Sequence, residues 1–165
     1  MIAIISGPLA AHEHHHSGDV LLEELLDRMG ARVERERDRA DDYLEAILAA
    51  ETTEEIDDIT LTYLVGAEHH WGHFHELVHL LGSCELPDPA AHQYPWAHDE
   101  GIYAVRDDMI RAHYWSLREM TDVASAQEVV RAYVGELTEY LERYDEFHGL
   151  LEDMDECVAA EEEHH

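Results

Sequence analysis

The sequence has no lysine and no asparagine, and among its 165 residues only two are cysteine, two phenylalanine and four proline. All ten cationic side chains are therefore arginine, set against 39 Asp and Glu, for a formal net charge of −29. A chain so short of positive charge repels phosphate, which excludes nucleic acid and anionic membrane as partners. Two cysteines 73 positions apart, Cys84 and Cys157, do not amount to a disulfide framework, and they read as reduced thiols of a cytoplasmic protein. No apolar run approaches the ~18 residues a membrane helix needs. The opening stretch 1–11 is apolar but has no basic flank and carries Pro8, so it is a poor secretion signal. The sequence also lacks a phosphate-binding loop, a dinucleotide fingerprint, a nucleophile elbow and a Cys-x-x-Cys pair, which sets those enzyme classes aside.

What is present in excess is carboxylate. A GC-rich genome depletes lysine and asparagine codons, and concentrated salt screens carboxylate repulsion over a few ångström. The composition resembles that of halophilic archaeal proteins, which implies a solvated acidic surface. The competing reading is a carboxylate face that meets a basic partner. The length fits one domain with a substantial buried core.

Along the chain, residues 1–18 stand apart: Ile2-Ala3-Ile4-Ile5 leads into a tract with His12, His14, His15 and His16. That tract reads either as native or as an appended purification sequence, and the acidic, His-ended stretch 159–165 carries the same ambiguity. Between them, 19–158 reads as a bundle of four amphipathic helices. The first starts near Asp19, with the apolar seam Leu22, Leu25, Leu26, Met29, Val33, Ala40, Leu44, Ile47. Gly30 is a point where it could kink. The second opens on a capping box, Thr52 with Glu55, and continues Ile56, Ile59, Tyr63, Ala67, His70, Phe74, Leu77, Leu81 to a stop at Gly82. Residues 83–98 hold Pro87, Pro89 and Pro95 and read as a non-helical linker. Extended at ~3.3 Å per residue it spans about 50 Å, enough to cross the length of a bundle. The third helix covers roughly 99–121. The fourth begins at a second capping box, Ser125 with Glu128, and runs through Val130, Tyr133, Leu137, Leu141, Tyr144, His148 and Leu151.

The segment Glu68-His69-His70-Trp71-Gly72-His73-Phe74-His75-Glu76-Leu77-Val78-His79 carries five histidines. At 100° per residue they cannot share one face. Projection from the seam turns His70 inward and His73 to the edge, with His69, Glu76 and His79 outward. Glu36, His113 and His148 also project inward, with Asp145 at an edge. Buried carboxylate or imidazole needs a partner, and a divalent ion supplies one.

These positions resemble the ferritin-like superfamily, rubrerythrins included, in which a Glu on helix one and Glu-x-x-His on helix two recur on helices three and four. His73 falls on the family's His and His70 on its Glu. Glu36 lies 34 residues before His70, Asp145-x-x-His148 matches the second pair, and His113 lies 32 residues before Asp145. The resemblance implies an internal di-metal site, Fe or Zn, formed by Glu36, His70, His73, His113, Asp145 and His148. It also implies metal handling or oxygen and peroxide chemistry by a ferritin-like oxidoreductase, and a homo-oligomer. The nitrogen-rich departures from the family's carboxylates suit Zn, Ni, Cu or Fe(II).

Topology decides which donors meet. With a crossover between helices two and three, His113 stands near His73, beside Tyr133 or Glu136. In a plain up-and-down bundle, Arg106 and Tyr140 approach Glu36 and His70 and give a buried ionic network. Two further readings stay open. One is a hemerythrin-like iron bundle, which the interval from His148 to Asp153 fits. The other is a non-enzymatic acidic protein binding a basic partner.

Overall fold

The computed structural model describes residues 15–152 with Met154 and Cys157, and side chains from Leu21 onward. Asp153 and the stretches 1–14 and 159–165 lie outside the described residues. The protein is all-α, four helical rods packed as a bundle, and no strand occurs among the described residues. The first rod, α1 (His15–Ala49), begins four residues before the expected Asp19 and passes Gly30 unbroken. The second, α2 (Thr53–Leu81), starts on the expected capping box. Thr52 accepts from the Glu55 amide, and the Glu55 carboxylate accepts from the Thr52 amide. That reciprocal pair satisfies donors the first turn leaves unpaired, so Thr52→Ala should lower stability by about 1 kcal/mol in urea unfolding.

The third rod departs from expectation. The connection after α2 is short, and helix resumes as α3 (Asp88–Pro95) inside the segment read as a linker. Proline is excluded from helix interiors for want of an N–H and for ring clash, but neither fault matters in a first turn. Pro87 is the cap, Pro89 sits in the first turn, and Pro95 is the last α-helical residue. The rod continues through a wide π-turn segment (Trp96–Glu100), α4 (Gly101–Tyr103), a second π segment (Ala104–Met109) and α5 (Ile110–Arg118). In both π segments the closing amide bonds five residues back: Gly101 to Trp96 and Ile110 to Val105. The last rod, α6 (Val123–Gly149), is capped by Asp122, which accepts from the Ser125 amide, so the expected Ser125–Glu128 box does not form. Asp122 can adopt the extended cap conformation just before the helix, whereas Ser125 is already in its first turn.

Side-chain pairings fix the order of the rods. His79 meets His98 while Tyr43, bonded to Thr60, meets His113, so α2 and the third rod run antiparallel. Gln127 reaches the Ile47 carbonyl and His148 the Leu26 carbonyl, so α6 runs antiparallel to α1. The bundle is up-and-down, without the long crossover the linker had room for. The core is a continuous apolar column that includes Met29, Val33, Ile47, Ile56, Phe74, Val78, Val130, Leu137, Leu141 and Phe147. Tyr43 is buried where the seam pointed to Leu44, because its hydroxyl finds partners inside.

The cysteines also correct the sequence reading. Cys84, just past α2, and Cys157, beyond α6, form a disulfide with their Cα atoms 5.0 Å apart. Both follow rods that end at the same pole of the bundle, which is why a separation of 73 residues closes to bonding distance.

Candidate functional site

Two polar groupings stand out, one in the core and one on the outer face of α2. The core grouping starts at Glu36, which is 0% exposed. Tyr63 donates to its Oε1 at 3.1 Å, and the Arg39 guanidinium lies 3.4 Å from Oε2 while donating to the Tyr63 carbonyl. Burial pushes the Glu36 carboxyl up to about 7, and Arg39, Tyr63 and Trp71 offset only part of that rise. Neither the Trp71 indole nitrogen nor Glu36 Oε2 completes a hydrogen bond of ordinary geometry. His70 Nδ1 lies 3.9 Å from Oε2, beyond hydrogen-bond range. Burial lowers its imidazole to about 3, with repulsion from Arg32, Arg39 and Arg35 adding to the effect, so the ring is neutral.

His113 stands in a separate pairing. Its Nε2 meets the Tyr43 hydroxyl at 2.8 Å, and that hydroxyl meets Thr60 at 2.9 Å. Its ring stacks on Tyr133 at 4.0 Å, its Nδ1 has no partner, and burial lowers it to about 4. The rings of Tyr43 and Tyr63 stack at 4.2 Å, one bonded to His113 and the other to Glu36. Close packing holds the arrangement. A Cβ on Gly66 would collide with the Arg39 guanidinium, so glycine there lets Arg39 reach inward.

Of the six residues expected to share an internal metal, the structure brings together Glu36 and His70. His113 is tied to Tyr43 instead. His73 is half-exposed on the outer side of α2, bonded to His69 and Glu76. Asp145 pairs at the surface with Arg37, and His148 bonds to the Leu26 carbonyl. The partner of Glu36 is Arg39. Arg106, expected near it in an up-and-down bundle, lines a basin with His75, and Tyr140 lies alongside Trp96.

The second grouping was not assembled from sequence. The first π segment turns His98 onto the outer side of α2, between His75 and His79. His98 Nδ1 donates to Asp99 at 2.8 Å, which leaves Nε2 as the lone-pair nitrogen, 3.0 Å from His79 Nδ1. The His75 ring lies 4.8 Å from that of His98, and its Nε2 is buried without a hydrogen-bond partner. Burial lowers the His75 imidazole further from protonation, and neighbouring His98 and His79 act in the same direction. The π-turn is held in place from the core: Tyr144 donates to the Ala97 carbonyl at 3.0 Å, and the Gly101 backbone lies so near Trp96 and Tyr144 that any side chain would collide. The spacing of His75 and His79, one helical turn apart, and the adjacent pair His98-Asp99 were legible in sequence. Their meeting depends on the antiparallel pairing of two rods.

Among the described residues, no three His, Cys, Asp or Glu side chains already surround a common point as metal ligands. No described helix is long and apolar enough to cross a membrane. The chain matches no family model, no curated protein and no solved structure. Its likeness to the ferritin-like superfamily is thus limited to the all-helical four-helix architecture.

Proposed function

We propose that this bundle is a metal-handling protein that holds a divalent first-row ion, Zn(II) foremost, between His75, His79 and His98. One observation carries the reading: the lone pair of His98 Nε2 faces His79 Nδ1 at 3.0 Å, while Asp99 holds the far side of the His98 ring. Two imidazole nitrogens bound to one zinc at about 2.0–2.1 Å and a tetrahedral angle stand about 3.3 Å apart, close to the separation found. An ion takes the place of the proton the two rings now share. A carboxylate on the distal nitrogen is the arrangement that fixes a ligating imidazole's tautomer and raises its basicity. His75, whose ring lies 4.8 Å from that of His98 and whose Nε2 has no partner, is the third donor once its ring turns toward them. Three neutral imidazoles suit Zn, Ni or Cu, and water completes the shell.

The donor set has no bridging carboxylate, which favours holding and releasing an ion over activating oxygen. Iron and the expected peroxide chemistry draw no support from it. The core pair Glu36 and His70 is a poorer candidate, since Arg39 and Tyr63 already occupy the carboxyl.

The test is a Zn(II) titration of the full-length chain in which the terminal histidines 12, 14, 15, 16, 164 and 165 are replaced by Ala. His98→Ala should abolish the tightest site, and Asp99→Asn should weaken it roughly 10–100-fold. Unchanged affinity in His98→Ala sinks the reading.

A further inference from the structure

The outer face of α2 carries a second pair built to the same plan. His69 and His73 are one helical turn apart, so their rings project side by side. Their Nε2 atoms lie 3.1 Å apart, and the rings cross nearly perpendicular, 4.4 Å between centroids. His73 Nδ1 donates to the Glu76 carboxylate at 3.2 Å, so its Nε2 is the nitrogen with the free lone pair. The sequence of groups is carboxylate, imidazole, imidazole, as in the chain Asp99, His98, His79.

We propose that His69 and His73 form a second, more labile site for a divalent transition ion, with Glu76 positioning His73. The site offers two protein donors where the first offers three, and it is open to water. It therefore binds more weakly and exchanges faster. Zn(II), Ni(II) and Cu(II) are the ions that two imidazoles and water suit. A half-open basin of about 530 Å³ lies beside α2, lined by His69, His73 and His75 with Gly72 among them. A Cβ at Gly72 meets no atom within 4 Å, so the absence of a side chain leaves that space clear. His75 and Arg106 line the same basin, so an ion captured at His69 and His73 would face His75 across that space.

The site is independent of the one proposed above, and the same protein tests both separately. Zn(II) titration by calorimetry of the full-length chain with terminal histidines replaced should give two ions per chain, the second at least tenfold weaker. His69→Ala and His73→Ala should each remove the weaker ion and leave the tighter one. Glu76→Gln should weaken it roughly 10–100-fold, without loss of helix by circular dichroism. A single ion lost in His98→Ala and unaffected by His73→Ala overturns this second site while leaving the first. A single ion lost in His73→Ala and indifferent to His98→Ala does the reverse. Two ions indifferent to His69 and His73 overturn the second site as well.

Discussion

Glu36→Gln should leave stability nearly unchanged near pH 4 and raise it by about 3 kcal/mol near pH 8. The carboxyl is 0% exposed, and burial raises it to about 7 against an ordinary value of 4.5. At ~1.36 kcal/mol for each tenfold change in proton affinity, the shift amounts to about 3 kcal/mol. Between those two values the unfolded chain has released its proton and the native chain has kept it. The native state then binds more protons, so this group makes stability fall as pH rises from about 4.5 to about 7. Gln keeps an oxygen for the Tyr63 hydroxyl and has nothing to ionise. Urea unfolding of both proteins across this range checks the claim, and a difference that does not grow with pH refutes it.

The buried histidines act on the other limb. His70 and His113 are lowered to about 3 and about 4 from 6.5. Below pH 6.5 the unfolded chain takes up protons that the native core refuses, so their contribution is present above 6.5 and is lost as pH falls toward 4 and 3. Each is worth about 3–5 kcal/mol by the same conversion. Relief of repulsion among 39 carboxylates on acidification works against that loss. The difference between parent and Glu36→Gln cancels both effects, which is why it is the quantity to measure.

Reduction of Cys84–Cys157 should lower stability by about 4 kcal/mol, because the bond closes a loop of roughly 74 residues in the unfolded chain. The loop takes in the whole third rod and α6, so its removal restores freedom to nearly half the protein when unfolded. Urea midpoints with and without reductant, and in the double variant Cys84→Ser with Cys157→Ser, should shift together. Release of two thiols by denaturant alone, with no reductant, would contradict the bond. So would a change under about 1 kcal/mol in the double variant.

Four rods were legible because apolar spacing of three and four persists through each, and an amphipathic face must be buried somewhere. The inward turn of Glu36, His70 and His113 was legible for the same reason: each lies on the seam of its own rod. What the seam could not give was depth along the axis and neighbours across it. Tyr43 and Tyr63 stack at the level where Glu36 and His113 were to meet, and each binds one of them. The helix at 88–95 was hidden because three prolines signal a break unless their places in the first turn and at the last residue are known in advance. The disulfide was hidden because two rods must first end at one pole. His98 was hidden twice, inside a supposed linker and in a turn whose width no periodicity reveals.

Those wide turns make the length of the third rod as informative as its residue types. Each accommodates more chain per turn than an α-helix does. Losing a single residue between 96 and 109 would let one of them relax to ordinary pitch. Because such a turn holds one residue more than an α-turn, that loss would leave the two halves of the rod in register. Taken from the first of them, it would unmake the turn that presents His98 to His79, while His113 still meets Tyr43. A frame shorter by one position within 96–100 would therefore withdraw the outer histidine and leave the core beneath it in place.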